Sequence, residues 1–188
     1  MKNLGKLLGL LAAFVVVLGG AGLLYEKLAP TVEAEQLGQS EPSPEEETPA
    51  LPEVTVYDSA GNPVKLADKY GKPLVLNFWA SWCGPCQSEM PDFQKVWEEL
   101  GHEVEFLMIN MTDGDRETQA TAEAFLTEKG YSFPVYFDTT SEAAYAFGAY
   151  ALPTSFFIPA DGGPVLYAEG AIDEALLRQA IERIRTDE

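Results

Sequence analysis

Hydrophobic and polar positions divide the chain into three parts with different patterns. Residues 7–25 contain no charged side chain, and residues 26–50 are rich in Glu, Pro and Ser with few large apolar residues. From residue 51 onward, short apolar runs alternate with segments in which apolar residues recur at helical spacing. This alternation predicts a single layered α/β domain over residues 51–188, with ligand chemistry at the carboxyl ends of its strands.

The first half of this domain is expected to contain a hairpin, a buried strand and a helix. The runs EVTVYD and PVKLAD alternate apolar and polar residues around SAGN, which predicts a short hairpin. The near-continuous apolar run KPLVLNFWA predicts a central strand that is buried on both faces. A helix is expected to follow it through SEMPDFQKVWEEL, where apolar residues form a stripe that faces the core: Phe93, Val96, Trp97 and Leu100.

The second half continues the alternation. EVEFLMIN predicts a second buried strand, and TDGDRETQATAEAFLTEKG predicts a helix that begins at a capping box in residues 112–115 and stops at Gly130. Calcium binding at Asp113 and Asp115 is the weaker alternative, because the loop lacks the distal Glu of such sites. The remaining predicted elements are a strand in PVYFD, a short helix in SEAAYAFG, strands in TSFFI and VLYAEG, and an amphipathic helix in DEALLRQAIERIR.

The uncharged run at residues 7–25 is long enough to serve as a membrane anchor. As a helix it would span about 28 Å, close to the thickness of a bilayer core. Lys2 and Lys6 precede it and favour a cytoplasmic N-terminus. We therefore expect residues 1–25 to be a single-pass anchor in the cell membrane, with the domain on the extracytoplasmic side. A cleaved signal peptide, cut at LGGAG or VEA, is the alternative.

The distribution of charge along the chain bears on the linker and on the possible partners. The Glu and Pro residues of residues 26–50 predict a flexible acidic linker, because so little apolar surface cannot offset the entropy of ordering. The whole chain has a formal net charge of −18, and no basic cluster follows Lys6. Without a positive patch there is no site for nucleic-acid phosphates, so we expect no nucleic-acid partner.

Cys83 and Cys86 are the only cysteines of the chain, and three uses are open to them. A metal site would need further ligands, and the only histidine, His102, is expected in an exposed loop. A structural disulfide across two residues would contribute little stability, because the gain grows with loop length. The third use is a dithiol that cycles between its reduced and oxidised forms.

The dithiol interpretation is favoured by the position of the cysteines. Cys83 lies where a helix is expected to begin, and unpaired N–H groups with the positive end of the helix dipole stabilise a thiolate there. We therefore expect Cys83 to be the attacking nucleophile. Cys86, one turn further along and covered, is expected to resolve the mixed disulfide.

These residues also carry a resemblance to a known family. FWASWCGPC resembles the active-site motif of the thioredoxin superfamily, and ALPTSFF resembles its second active-site element. The anchor, LNFWASWCGPCQSEMP and the helix and strand before LPT resemble the TlpA/ResA group of exported thiol–disulfide oxidoreductases. The resemblance implies a thioredoxin-like α/β fold, a central mixed sheet flanked by helices, with an N-terminal hairpin and an inserted helix–strand unit over residues 51–188.

The resemblance also implies roles for individual residues. Pro153 is expected to be cis and to lie beside the cysteines, and Pro91 is expected to interrupt the hydrogen bonding of the active-site helix. Asn77 stands where cytoplasmic thioredoxins carry a buried aspartate, so another group must handle protons. Glu89 is the candidate acid–base group, and an exposed helix residue is the alternative for it. The expected substrate-binding residues are Trp82, Gly84, Pro85, Leu152, Pro153 and Thr154.

The expected activity follows from that resemblance. Gly84 and Pro85 between the cysteines match the reducing thioredoxins, which favours reduction of disulfides in exported proteins such as apocytochrome c. Electrons would come from a membrane protein of the CcdA/DsbD type, with no metal and no cofactor beyond the Cys83–Cys86 pair. An exported oxidant or isomerase, a copper-delivery protein and a non-catalytic binding module are the alternatives.

Overall fold

The computed structural model describes residues 38–39 and 51–185. The expected membrane anchor at residues 1–25 and most of the expected linker at residues 26–50 lie outside this part of the chain. No helix among the described residues has the length and apolar character needed to cross a bilayer.

The described residues form strands and helices in the expected alternation. In chain order the strands are β1 (Gly38–Gln39), β2 (Thr55–Tyr57), β3 (Pro63–Lys65), β4 (Leu74–Trp79), β5 (Glu105–Asn110), β6 (Val135–Phe137), β7 (Thr154–Ile158) and β8 (Leu166–Glu169). The α-helices are α1 (Gly84–Leu100), α2 (Gln119–Lys129), α3 (Glu142–Phe147) and α4 (Glu174–Arg185), and a short 3₁₀ helix spans Leu66–Lys69. From residue 51 onward the predicted order of elements is confirmed, whereas β1, which lies in the segment predicted to be a flexible linker, was not predicted.

All these strands join one mixed sheet in the order β1-β8-β7-β4-β5-β6-β2-β3. β4 is parallel to β5 and antiparallel to β7, and each of its six residues is buried. The prediction of a central strand that is covered on both faces is therefore confirmed. The carboxyl end of β4 leads directly toward the cysteines, which places them at the edge of the sheet where chemistry is expected.

The N-terminal hairpin and the inserted unit also lie where they were predicted. β2 and β3 are antiparallel, with Val56 opposite Val64, and β2 continues the sheet beyond β6 through a pairing of Tyr57 with Phe137. α2 and β6 follow β5, and β6 is parallel to β5. The mixed sheet with flanking helices, the N-terminal hairpin and the additional helix and strand is confirmed.

A hydrophobic cluster covers each face of the sheet. On one face Val75 and Trp79 of β4 contact the predicted stripe of α1, together with Leu177 and Ile181 of α4. Phe93 and Val96 of that stripe are buried, and Trp97 and Leu100 are partly buried against the same cluster. On the other face the alternate side chains of β4 meet β5 and α3: Leu74, Leu76, Phe78, Leu107, Ile109, Ala143 and Ala144. Side chains of β4 alternate between the two faces of the sheet, and those on one face pack against α1 and hold it to the sheet.

The predicted start of α2 is wrong. The helix begins at Gln119, and its capping box is formed by Thr118 and Thr121, whose side chains accept hydrogen bonds from each other's backbone N–H at 3.1 and 2.9 Å. Residues 112–115 are not helical, because the Asp113 carboxylate accepts the N–H groups of Asp115 and Glu117, both at 2.8 Å, and closes a turn instead. The predicted stop is confirmed, since Gly130 caps the helix with a φ of 73°.

Candidate active site

Cys83 and Cys86 are joined in a disulfide where β4 passes into α1. Cys83 is the N-cap of α1, and its Sγ accepts a hydrogen bond from the N–H of Cys86 at 3.2 Å. Its side-chain sulfur therefore faces the unpaired N–H groups of the first helical turn. Cys83 is 5% exposed and Cys86 is fully buried, so an external disulfide can reach only the first of them.

The motif residues explain why the helix begins at this point. Pro85 lies in the first turn of α1, where a missing N–H costs no hydrogen bond. The N–H of Cys83 donates to the carbonyl of Ala80 at 3.2 Å, and the carbonyl of Cys83 accepts the N–H of Gln87 at 3.0 Å. The helix then continues through Pro91 to Leu100. Local sequence thus fixes the sulfur of Cys83 at the helix N-terminus.

A groove with a volume of about 500 Å³ opens beside Cys83. Five of the residues predicted for the site line it: Trp82, Cys83, Gly84, Pro85 and Leu152. The loop after β5, the N-cap of α3 and the loop after α3 complete the lining: Met111, Asp113, Arg116, Ser141, Ala149 and Tyr150. The groove is therefore built from three chain segments that are far apart in sequence, and the disulfide lies in its wall.

Trp82 is 40% exposed and is covered on one side by a cation. The guanidinium carbon of Arg116 lies 3.5 Å from the centroid of its ring. A guanidinium at this distance is attracted by the electrons of the indole face. The pair forms one rim of the groove, and Tyr150, also well exposed, contributes to the lining.

The peptide bond between Leu152 and Pro153 is cis, as the resemblance implies. The carbonyl of Pro153 accepts the N–H of Gly170 at 2.8 Å, and Thr154 begins β7 opposite Phe78 of β4. This register places the proline at the end of the sheet that carries the cysteines. Thr154 is buried and donates its hydroxyl to the carbonyl of Ala151 at 2.8 Å; it lines a separate, largely apolar cavity of about 430 Å³ and not the Cys83 groove.

Glu89 is buried, with only 2% of its surface exposed, so the alternative of an exposed helix residue is wrong. One carboxylate oxygen accepts Nδ2 of Asn77 at 2.9 Å, and the other accepts the backbone N–H of Ile172 at 3.1 Å. Burial disfavours the ionised form and raises the pKa of Glu89 to about 7, against the smaller, opposing effect of these two hydrogen bonds. Glu89 follows Cys86 by one helical turn, so a buried carboxyl group with a raised pKa lies on the same face of α1 as the buried cysteine.

Asn77 connects Glu89 to the neighbouring strand. Its Nδ2 also donates to Oγ of Ser155 at 2.9 Å, whereas its Oδ1 is buried without a hydrogen-bond partner. If the amide group turns over, Oδ1 faces both Glu89 and Ser155. In that orientation Oδ1 of Asn77 can accept a hydrogen bond from the O–H of a protonated Glu89, whereas in the first orientation Nδ2 donates to the ionised carboxylate. The asparagine thus serves both protonation states of Glu89 without exchanging a proton itself.

Sequence reasoning missed Arg116 and Glu117. Both lie within the segment that was assigned to the start of α2, and apolar periodicity gives no information about either. Glu117 is fully buried and accepts hydrogen bonds from Ser81, close to the cysteines in the chain. The sequence contains one signal that could have drawn attention to this loop: Arg116 is the only arginine before Arg178.

Among residues 51–185 no three His, Cys, Asp or Glu side chains are close enough together to hold a metal ion. His102 is exposed, and its Nε2 lies 3.2 Å from a carboxylate oxygen of Glu103. The prediction that His102 lies in an exposed loop is confirmed.

The sequence and the fold were compared with known proteins. The AhpC/TSA family matches residues 48–163 of the chain. Thiol-disulfide oxidoreductase ResA of Geobacillus thermodenitrificans is 31% identical over 137 residues, which cover 71% of this chain and 75% of that protein. Thiol-disulfide oxidoreductase ResA of Bacillus anthracis is 31% identical over 159 residues, which cover 84% of each chain.

Solved structures with the same fold carry related names. The structure of MTB DsbF in mixed oxidised and reduced forms superposes with a TM-score of 0.65 at 25% identity, covering 74% of this chain and all of that one. A putative thiol:disulfide interchange protein DsbE from Chlorobium tepidum superposes with a TM-score of 0.64 at 27% identity, covering 74% and 97%. The chain therefore belongs to the AhpC/TSA family of the thioredoxin superfamily and is a thiol–disulfide oxidoreductase of the ResA type.

Proposed function

We propose that the chain reduces disulfides in exported proteins through its WCGPC motif. The observation that carries this proposal is the asymmetry of the two cysteines. The Sγ of Cys83 faces the helix N-terminus at the wall of a groove, whereas Cys86 is fully buried behind it. This arrangement favours Cys83 as the nucleophile and Cys86 as the resolving thiol.

In the first step, the thiolate of Cys83 attacks one sulfur of the substrate disulfide. A bond forms between Cys83 and that sulfur while the substrate disulfide breaks, and the second substrate sulfur leaves as a thiolate that takes up a proton. The N–H of Cys86, which lies 3.2 Å from Sγ of Cys83 in the disulfide form, is placed to stabilise the attacking thiolate.

In the second step, Cys86 must lose its proton before it attacks the mixed disulfide. Glu89 is the available base, because it is buried one turn away and its pKa is raised to about 7. The Cys86 thiolate attacks the sulfur of Cys83, the internal disulfide forms, and the substrate leaves with both of its cysteines reduced. Two electrons have passed to the substrate, and an external dithiol must return them to the Cys83–Cys86 disulfide.

The direction of electron flow and the redox partners are inferred from the active-site motif and from the related proteins. Gly84 and Pro85 match the reducing thioredoxins, and the names of the relatives and neighbours, thiol-disulfide oxidoreductase and thiol:disulfide interchange protein, support dithiol exchange. Apocytochrome c is the substrate we propose, with electrons supplied by a membrane protein of the CcdA/DsbD type. Residues 1–25 would hold the enzyme in the membrane, with its domain on the extracytoplasmic side.

Trapping experiments test the roles of the two cysteines. Cys86→Ser removes the resolving thiol, so Cys83 should stay in a mixed disulfide with a protein substrate, visible as a band that disappears under reducing conditions. Cys83→Ser is the matched control and should trap no substrate. Trapping by Cys83→Ser and not by Cys86→Ser would show that the roles are reversed.

A further inference from the structure

We propose that Glu117 is a positioning residue for thiol–disulfide exchange, which holds the segment before Cys83 in place from the loop after β5. Glu117 touches neither cysteine, and no motif includes it. The proposal rests on exchange at Cys83 and is independent of the direction of electron flow and of the substrate. It is carried by the hydrogen bonds of one buried side chain.

The hydrogen bonds of the Glu117 carboxylate go to two places, the segment before Cys83 and the last residue of β5. Oε1 accepts the backbone N–H of Ser81 at 2.9 Å and Nδ2 of Asn110 at 2.7 Å. Oε2 accepts the hydroxyl of Ser81 at 2.7 Å. Removal of this fully buried carboxylate would leave the buried amide of Asn110 and the part-buried N–H and hydroxyl of Ser81 without their acceptor.

The backbone of Glu117 is itself held by hydrogen bonds within its own loop. Its N–H donates to the Asp113 carboxylate at 2.8 Å, and its carbonyl accepts the N–H of Gly114 at 2.9 Å. Asn110, its other side-chain partner, accepts the hydroxyl of Thr112 at 2.8 Å through Oδ1. The loop is therefore rigid where it contacts the active-site segment.

Ser81 is the point at which this rigidity reaches the nucleophile. The backbone N–H and the side-chain hydroxyl of Ser81 both donate hydrogen bonds to the carboxylate of Glu117. Its carbonyl accepts Nε2 of Gln87 in α1 at 2.6 Å. Ser81 is thus fixed between the loop and the helix, two residues before the sulfur that must align with an incoming disulfide.

The neighbouring residue of the same loop restrains the next position. Arg116 stacks on Trp82, with 3.5 Å between its guanidinium carbon and the ring centroid. Adjacent residues of one loop therefore contact adjacent residues of the active-site segment, Glu117 contacting Ser81 and Arg116 contacting Trp82. Since displacement of a reacting group by about 1 Å can slow a reaction by about 100-fold, loss of this restraint should act on rate.

The test compares three substitutions in the full chain. Glu117→Ala removes the acceptors, whereas Glu117→Gln keeps Oε1 for the two N–H donors and offers an amide whose hydrogen the Ser81 hydroxyl can accept. We expect Glu117→Ala to slow reduction of a protein disulfide at least about 10-fold and Glu117→Gln to recover most of that loss. Glu128→Ala, which removes an exposed glutamate from α2, is the matched control and should retain the wild-type rate.

Ser81→Ala keeps the proposal testable if Glu117→Ala fails to fold. It removes one hydrogen bond and no charge, so it isolates position from electrostatics. We expect the pH midpoint for alkylation of reduced Cys83 to rise in Ser81→Ala, because a looser segment moves Sγ away from the N–H of Cys86. Ser132→Ala, which removes an exposed hydroxyl that lies outside the active-site segment, should leave the pH midpoint for alkylation of Cys83 unchanged.

Two outcomes would overturn the proposal. One is a folded Glu117→Ala protein that exchanges within about threefold of wild type; the other is a Ser81→Ala protein with an unchanged alkylation midpoint and rate. If either outcome is accompanied by a loss of unfolding free energy, Glu117 only stabilises the fold. The variants are compared with wild type in the same assay, so the comparison does not depend on the direction of electron flow. If the wild-type protein oxidises substrates, the proposed function is contradicted, and the effect of Glu117 on the exchange rate can still be measured.

Discussion

Replacement of Glu89 by Gln should change how the stability of the protein depends on pH. Glu89 is buried, and its pKa is raised from 4.5 to about 7. Gln has nearly the same shape and no titration. Its Oε1 can accept the N–H of Ile172, and its amide can donate to Oδ1 of Asn77 once that side chain turns over. The substitution therefore removes the titration and preserves most of the packing.

The size and sign of the effect follow from the two pKa values. Below pH 4.5 Glu89 is protonated in both the folded and the unfolded chain. Between pH 4.5 and 7 the folded chain keeps the proton and the unfolded chain loses it, so wild-type stability falls as the pH rises through this window. Each pKa unit is worth about 1.4 kcal/mol, which gives a loss of about 3 kcal/mol by pH 7. Above pH 7 the difference is constant.

Urea denaturation of the oxidised protein measures this directly. The free energy of unfolding of wild type is compared with that of Glu89→Gln at several pH values from 4.5 to 8.5, so that the titrations of all other groups cancel. We expect the wild type to lose about 3 kcal/mol relative to the variant between pH 4.5 and 7. A difference that stays constant across this range would refute the assignment of a raised pKa to Glu89.

Three further predictions concern other parts of the account. Asn77→Asp places a second carboxyl group 2.9 Å from Glu89, so the window of falling stability should extend above pH 7; an unchanged profile in the same assay would contradict this. Arg116→Ala should lower the free energy of unfolding by about 0.5–1 kcal/mol and change Trp82 fluorescence, because the cation–π contact is lost. The full chain should fractionate with membranes, whereas residues 26–188 should be soluble; a mature soluble form that starts after residue 20 would contradict the anchor.

Apolar pattern predicted the elements that pack on the sheet. β4 and β5 are near-continuous apolar runs, and the stripe of α1 repeats at helical spacing, so burial and sequence carry the same information there. The start of α2 was placed too early, because an aspartate before a helix can close a separate turn as well as cap the helix. Asp113 does the former, through two backbone N–H groups.

The chemistry of the site was only partly visible in the sequence. Cys83 and Cys86 were found from their spacing and Leu152 from resemblance, and of these Cys83 and Leu152 line the same groove. The burial of Glu89 could have been read from the stripe Cys86, Glu89, Met90 and Phe93, which all face the core. Glu117 could not be found, because its partner Ser81 lies 36 residues away and only the pairing of the strands brings the two together.

An equilibrium redox titration of the Cys83–Cys86 pair measures whether the pair exchanges electrons with other thiols and in which direction. The protein is equilibrated with mixtures of reduced and oxidised dithiothreitol or glutathione, and the fraction of disulfide is measured after acid quenching and alkylation. A reductase should have a potential near that of thioredoxin, about −270 mV. A potential near about −120 mV would identify an oxidant, and a pair that does not equilibrate with either couple would contradict thiol–disulfide exchange at this site.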